Sequence, residues 1–245
     1  MSKAVTWSEP PESLSLATGE VHVWRVELNQ PDHLLEKYRE TLEEHELHRA
    51  SRFHFDKHRN CYVAGRGVLR QLLSQYLGTK PERLRFSYGA HGKPALGGEH
   101  ENSRLRFNMS HSHEMALFAF AEDTELGVDV EHIRTDFASE EVARRFFSRR
   151  EVETFNALPQ HEQVVGFFKC WTRKEAFIKV IGLGLSQPLN QFDVTLEQPA
   201  ALLWVSGDDA SRWSLYDLEV GGDYAGALAV EGQVSGIRCW HMRSR

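Results

Sequence analysis

Two long helical patterns, embedded among short strand patterns, set the main constraint on how this chain can fold. The first spans residues 58–77, where apolar side chains recur near one helical face, and Gly78 ends it. The second spans residues 160–181 and is broken by Gly182 and Gly184. Helices that alternate with groups of strands, rather than with single parallel strands, are typical of the α+β class, which is the fold class predicted here.

Shorter patterns fill the chain around these two helices. Two further helical segments are expected, over residues 32–50 and 139–156. Alternation of apolar and polar residues predicts strands over 21–28, 104–109, 115–121 and 125–133. From residue 191 onward, short apolar runs separated by Gly, Asp and Pro predict an antiparallel meander. Each half of the chain thus holds strands and a long helix, and we expect an N-terminal half of residues 1–122 and a C-terminal half of residues 123–245.

Composition narrows the class of protein. The chain has 245 residues, of which 41% are hydrophobic and 26% charged, and its net charge is −6. These values exclude a disordered chain, and an acidic chain is not a general nucleic-acid binder. No stretch approaches the ~18 apolar residues that a membrane helix needs, and the first residues lack the apolar run of a signal peptide. The three cysteines show no zinc or disulfide spacing, so we expect reduced thiols and a cytoplasmic location.

Two carboxylates mark the strand pattern at residues 125–133. Leu126, Val128 and Val130 share one face of such a strand, which leaves Asp129 and Glu131 on the other. Two carboxylates ~7 Å apart along a strand repel each other unless a cation lies between them. Oxygen ligands favour Mg²⁺ or Mn²⁺ over zinc. The alternative is the solvent-facing side of an ordinary amphipathic strand, although Gly127 favours close approach by a ligand.

The second long helix carries a further carboxylate and an ammonium group. Trp171, Glu175 and Lys179 follow each other at intervals of four residues and therefore share one stripe of the helix. The stripe could place a carboxylate and an ammonium side by side in a site. The alternative is a Glu–Lys pair on a solvated face, which the apolar Trp171 and Ile178 disfavour.

Three other segments could bind an anion. The turn at His91, Gly92, Lys93 and Pro94 could present a lysine and backbone groups, or be a bare turn. Ser110 and His111 could hold a phosphate, whereas a Ser–His nucleophile pair is disfavoured because adjacent residues rarely have that geometry. Residues 45–70 carry an excess of arginine and lysine, which suggests a small polyanion or else a solvated helix face.

The order of these motifs resembles that of a known family. The series His91–Pro94, Phe107–Ser112, Gly127–Glu131 and Trp171–Lys179 is similar to that of the 4′-phosphopantetheinyl transferases, in particular the surfactin-synthetase-activating type. The resemblance implies two similar α+β halves that form a pseudo-dimer, with the active site in the cleft between them, in a monomeric enzyme. It also implies transfer of 4′-phosphopantetheine from coenzyme A to a serine of an apo acyl or peptidyl carrier protein, with release of adenosine 3′,5′-bisphosphate.

The resemblance assigns a role to each candidate residue. Asp129, Glu131 and Glu175 would hold Mg²⁺, with Mn²⁺ as an alternative ion. Glu175 would also act as the base, directly or through water, and Lys179 would stabilise the leaving phosphate. The residues implied in binding coenzyme A are Arg52, Gly92, Lys93, Pro94, Ser110, His111 and Lys179. Arg49 is a second choice beside Arg52, because Glu43, Glu44 and Glu46 stand where the surfactin-type relative has lysines.

Two other functions fit parts of the same pattern. A metal-dependent phosphohydrolase would use the same carboxylates and would hydrolyse coenzyme A without an acceptor. A non-catalytic module would use the arginine-rich segment to bind RNA or a nucleotide, which the acidic remainder of the chain disfavours. The sequence does not say which carrier proteins would be served. The arginine-rich helix over residues 139–156 is a candidate docking surface, or else an ordinary amphipathic helix.

Overall fold

The computed structural model describes residues 6–182, 184 and 188–242. Within this part of the chain the helices are α1 (Asp32–Thr41), α2 (Glu44–Ser51), α3 (Asp56–Leu77), α4 (Glu140–Phe146), α5 (Arg149–Ala157) and α6 (Gln160–Ile181). The strands are β1 (Trp7–Ser8), β2 (Glu20–Glu27), β3 (Arg85–Tyr88), β4 (Pro94–Gly97), β5 (Leu105–Ser112), β6 (Met115–Glu122), β7 (Leu126–His132), β8 (Phe192–Val194), β9 (Leu202–Val205), β10 (Trp213–Leu218), β11 (Tyr224–Glu231) and β12 (Gly236–Met242). The predicted α+β class is confirmed.

Two sheets form the centre of the molecule. The larger sheet has the order β1-β12-β2-β6-β5, and the smaller has the order β10-β11-β7. Their facing sides share one apolar cluster, to which β2 and β6 contribute Val23 and Leu117 and to which β7 and β11 contribute Val128 and Leu228. Separate apolar clusters join the larger sheet to α1 and α3, and the smaller sheet to α6. The sheets therefore pack face to face, with helices on the outer sides.

The order of elements repeats along the chain. One strand, three helices, a two-stranded hairpin and two further strands run from β2 to β6, and the same sequence of elements runs from β7 to β11. The third helix of each series has 22 residues and ends at a glycine in the left-handed conformation, Gly78 or Gly182. The chain therefore contains two similar halves, although its sequence shows no visible repeat.

The last strand departs from the expected meander. β12 is parallel to β2, with Trp240 opposite Trp24, so residues 236–242 lie in the larger sheet. The division of the chain at residues 122 and 123 stays a prediction, and the strand pairing shows that the C-terminal segment crosses back to the N-terminal sheet. Such a pairing joins residues far apart in sequence, and local patterns do not contain that information.

Both shorter helical segments are split in two. Glu43 precedes α2 and exchanges side-chain and backbone hydrogen bonds with Glu46, and Ser148 does the same with Glu151 at the start of α5. Each arrangement is a capping box, which satisfies backbone N–H groups at a helix start and so begins a new helix. The expected helices at 32–50 and 139–156 are therefore interrupted, whereas the helix expected at 160–181 has the bounds of α6.

Candidate active site

The carboxylate face of β7 lies under helix α6. Asp129 is only 3% exposed, and its strand neighbours Val128 and Val130 face the opposite side, in the cluster between the sheets. A Cβ atom on Gly127 would overlap the backbone of α6 at Ala176 and Val180. The glycine thus permits close approach by the helix, whereas the sequence suggested approach by a ligand. Asp129 and Glu131 do not form a solvent face.

Lys179 of α6 reaches Asp129 directly. Its Nζ atom donates hydrogen bonds to Asp129 Oδ1 and Ser110 Oγ, each at 2.7 Å, and to the Val128 carbonyl at 3.2 Å. Ser110 in turn donates to Asp129 Oδ1 at 2.8 Å. The other Asp129 oxygen, Oδ2, is buried and has no hydrogen-bond partner among the described residues. A buried carboxylate oxygen without a partner is costly, so this oxygen is available to a bound cation.

Strand β5 holds β7 in place through its polar face. Ser112 Oγ donates to Glu131 Oε2 at 2.7 Å and accepts from the His132 N–H, and Asn108 Oδ1 accepts from the Val128 N–H at 3.0 Å. With Ser110, these side chains alternate along β5 and all point at β7. The sequence pattern alone assigned no role to Asn108 or Ser112. The alternation within residues 107–112 nevertheless indicated that both side chains share a strand face with Ser110.

Burial and mutual repulsion govern the charge of the carboxylates. Burial, then Asp129 and Glu131, raise the pKa of Glu175 to about 7, against the opposing effect of Lys179. Burial and then Asp129 likewise raise the pKa of Glu131. Three carboxylates and one ammonium therefore share a small, partly buried volume. Among the described residues, no three His, Cys, Asp or Glu side chains already stand in a ligand arrangement. The chemistry and the bare Asp129 oxygen fit a hard divalent cation, whose binding would require the side chains to close around it.

A cavity of about 200 Å³ opens on the other face of β5. It is lined by Arg49, Cys61, Tyr62, Gly65, Arg66, Tyr88, Gly92, Pro94, Met109 and His111. His111 keeps an exposed face, yet burial by the surrounding protein, then Lys179 and Arg49, lower its pKa. The arginine, the imidazole and the aromatic rings make the cavity suitable for a planar group that carries phosphate.

Comparison with known proteins identifies the family. Residues 125–229 match a family model described as the 4′-phosphopantetheinyl transferase superfamily, and residues 28–123 match one described as 4′-phosphopantetheinyl transferase, N-terminal. The chain is 39% identical to the 4′-phosphopantetheinyl transferase HetI of Nostoc over 238 residues, which are 96% of this chain and 98% of that relative. The chain belongs to the 4′-phosphopantetheinyl transferase superfamily. The resemblance seen in the sequence is thereby confirmed, and phosphopantetheinyl transfer is the activity supported for the chain.

Two further relatives in the superfamily cover less of the chain. The 4′-phosphopantetheinyl transferase Sfp of Bacillus subtilis is 31% identical over 163 residues, covering 66% of this chain and 70% of the relative. The human L-aminoadipate-semialdehyde dehydrogenase-phosphopantetheinyl transferase is 26% identical over 208 residues, covering 78% of this chain and 67% of the relative. The similarity thus reaches from a protein of Nostoc to a human protein.

The structure brings most of the transferase candidates together, but not all in the expected places. Gly92, Pro94 and His111 lie on the cavity, and Asp129 and Glu131 of β7 meet Glu175 and Lys179 of α6. Ser110 faces the carboxylates rather than the cavity.

The basic candidates lie in different places. Arg49 lines the cavity, whereas Arg52 caps the C-terminal end of α2 and is exposed. Lys93 points towards the end of α6. Leu183, Leu185 and Ser186, in the loop that follows that helix, lie outside the described residues.

Two arginines of the arginine-rich segment, Arg66 and Arg70, have structural partners. Arg66 and Arg70 are buried and both bond to Glu46, and Arg70 also donates to the carbonyls of Pro81 and Leu84 at 3.1 and 3.0 Å. Both arginines neutralise a buried glutamate, and Arg66 also lines the cavity, so the binding of a polyanion by residues 45–70 stays a prediction. The acidic stretch that departs from the surfactin-type pattern supplies that partner through Glu43 and Glu46.

Proposed function

We propose that this chain transfers 4′-phosphopantetheine from coenzyme A to a serine hydroxyl of an apo acyl or peptidyl carrier protein. The serine oxygen forms a bond to the β-phosphorus of the pyrophosphate, the bond to the bridging oxygen breaks, and adenosine 3′,5′-bisphosphate leaves. The observation that carries the proposal is the group of Asp129, Glu131 and Glu175 beside Lys179 on one face of β5, with a cavity that contains an arginine and a histidine on the other face.

Each residue has a task in this reaction. Asp129, Glu131 and Glu175 would hold Mg²⁺ or Mn²⁺, which supplies positive charge against the pyrophosphate. Lys179 would turn from Asp129 to the leaving phosphate. Its ammonium already stands beside Asp129 Oδ1, where it provides part of the positive charge that a metal ion would bring. Glu175, whose pKa of about 7 suits proton transfer near neutral pH, would accept the serine proton directly or through a water molecule. Gly92, Pro94, His111 and Arg49 would line the nucleotide site.

The assembly and setting are also part of the proposal. Both strands of the site, β5 and β7, come from a single chain, which supports a monomer. No helix among the described residues is long and apolar enough to cross a bilayer. The three cysteines are buried and unpaired in the described structure, which supports a reducing, cytoplasmic setting.

The decisive experiment measures the mass of apo carrier proteins after incubation with the protein, coenzyme A and Mg²⁺. One added phosphopantetheine is expected, and none on a carrier whose acceptor serine is replaced by alanine. Chelation should stop the reaction. Asp129→Asn should lower the rate by roughly 10²–10³, while Asp136→Asn, a change at an exposed carboxylate, should not. No mass change across acyl and peptidyl carriers, or hydrolysis of coenzyme A without an acceptor, would refute the proposal.

A further inference from the structure

The turn before β4 directs one lysine away from the nucleotide cavity. Gly92 has a φ of 79°, and the N–H groups of Gly89 and Gly92 donate to Lys93 O and Gly89 O at 3.0 and 2.9 Å. This closed turn places Gly92 and Pro94 on the cavity wall. The side chain of Lys93, between them, extends in another direction and meets the second half of the molecule.

Lys93 ends among three oxygen atoms of that half. Its Nζ atom lies 3.3 Å from Glu125 Oε2, 3.4 Å from the Leu126 carbonyl and 3.3 Å from the Val180 carbonyl. The Val180 carbonyl is in the last turn of α6, where carbonyls lack helical partners and a positive charge is favoured. A single ammonium therefore joins the first residue of β7 to the end of α6.

These contacts are close to the reacting groups along the chain. Val180 is the residue after Lys179. Leu126 is two residues before Val128, whose carbonyl accepts a hydrogen bond from Lys179. Packing supports the same junction. Gly182 lies against the Lys93 side chain, since a Cβ there would be 3.8 Å from Lys93 Cδ, and a Cβ on Gly184 would be 3.2 Å from that of His91.

We propose that Lys93 is a positioning residue that holds the cavity-lining turn against the two elements that carry the carboxylates. It would thereby align the pyrophosphate of coenzyme A with the metal-binding group, rather than bind a phosphate itself. This role rests on the proposed function. It differs from the role implied by sequence resemblance, in which Lys93 contacts the adenine and 3′-phosphate region.

The test compares Lys93→Met with Lys93→Arg in the full chain. Calorimetry measures the affinity for coenzyme A and for dephospho-coenzyme A, which lacks the 3′-phosphate, and steady-state kinetics measure kcat and KM. Positioning predicts that Lys93→Met lowers kcat by about tenfold, the equivalent of one lost interaction. It also predicts the wild-type ratio of the two affinities, and recovery of most of kcat in Lys93→Arg. Lys80→Met, at an exposed lysine, serves as the control.

A partner variant sharpens the result. Glu125→Gln should lower kcat in the same direction, and its effect should be smaller in the Lys93→Met background than in the wild type, because the two side chains interact. A selective loss of affinity for coenzyme A over dephospho-coenzyme A would show that Lys93 binds the 3′-phosphate and would overturn the proposal. So would an unchanged kcat in Lys93→Met. Wild-type protein that modifies no carrier would instead refute the proposed function, and the affinity ratio would still be measurable.

Discussion

The two halves share one scaffold but differ in how closely the long helix approaches its sheet. In the first half, His22, Trp24 and Phe120 stand between β2 or β6 and α3, where Tyr76 bonds to His22 and Trp24 and packs on Phe120. In the second half, Gly127, Ala225, Ala227 and Ala229 face α6, and the helix backbone lies directly on Gly127. Large side chains separate helix from sheet in one half, and small ones bring them together in the other.

This difference explains why the carboxylate group belongs to the second half. In the strand register, Asp129 of β7 lies opposite Ala227 of β11, and Trp24 of β2 lies opposite Phe118 of β6. Ala227 and Phe118 occupy equivalent positions in their strands. Trp24 is therefore the counterpart of Asp129. Along the helices, Gln71 and Gln75 of α3 correspond to Glu175 and Lys179 of α6. The edge of β2 is moreover covered by β12, with Trp240 against Trp24. A shared scaffold thus carries chemistry in one half and an aromatic core in the other.

The largest expected effect separates the two helices by activity. Glu175→Gln should lower the transfer rate by roughly 10²–10³, since it removes both a charge from the site and the proposed base. Gln71→Ala, at the matching position of α3, should change the rate by less than about twofold, as for a surface substitution with no special contact. Carrier modification at saturating coenzyme A measures both. Comparable losses in the two variants would contradict the assignment of chemistry to one half.

The next effect concerns a feature that both halves share. Glu46 and Glu151 are the buried members of the two capping boxes, and each bonds to a cation at the same place in the long helix, Arg70 or Lys174. Glu151→Gln removes the charged partner of the fully buried Lys174, whose ammonium would still donate to the Phe192 carbonyl at 2.7 Å. Breaking such a pair costs about 3–5 kcal/mol, and urea unfolding should show a loss of this size.

Glu46→Gln should destabilise the protein less than Glu151→Gln. Arg70 would keep Glu43 and two carbonyl groups as partners, because the guanidinium has more donors than an ammonium. Arg66, which also bonds to Glu46, would keep the Tyr88 hydroxyl as a partner. The comparison of the two variants in urea therefore has a definite order. Equal losses, or a greater loss for Glu46→Gln, would show that the remaining partners of Arg66 and Arg70 do not compensate.

Local sequence patterns predicted the helices and strands of the two halves better than the contacts between them. The period of α6 and the alternation of β7 fixed which side chains share a face, so the pairs Asp129 with Glu131 and Glu175 with Lys179 could be recognised from the sequence alone. The direction of Lys93 could not be predicted, because it depends on where the end of α6 lies relative to β4. The same holds for β12, whose partner β2 is at the other end of the chain. These features depend on contacts between distant segments.

A smaller change tests the close approach of α6. Gly127→Ala adds a methyl group where the Ala176 carbonyl already lies, so the helix must shift outward. Overpacking of this kind costs about 1–3 kcal/mol, and the shift should also lower kcat because Glu175 moves away from Asp129. Gly236→Ala, where nothing lies within 4 Å of the added carbon, is the matched control. Full activity of Gly127→Ala would show that the contact does not set the spacing of the site.

The pH dependence of stability also distinguishes the halves. His22, the counterpart of Gly127, is fully buried, and burial lowers its pKa from 6.5 to about 4, with Glu20 opposing and Arg238 adding to the effect. Because its pKa in the folded protein is below that in the unfolded chain, protonation favours unfolding. Stability that is present above pH 6.5 should therefore be lost as the pH falls towards 4, by an amount on the order of 2–3 kcal/mol.

His22→Phe removes the titrating group and should remove this part of the slope, which urea unfolding at a series of pH values would measure. The absolute stability of the variant will also change, because the hydrogen bond to Tyr76 is lost, so the slope rather than the stability is the informative quantity. The second half has a glycine, Gly127, at the matching position, and its close helix contact should add nothing to the slope in this range. A slope unchanged in His22→Phe would mean that other groups govern acid sensitivity, and that the aromatic layer beneath α3 tolerates a charged imidazole.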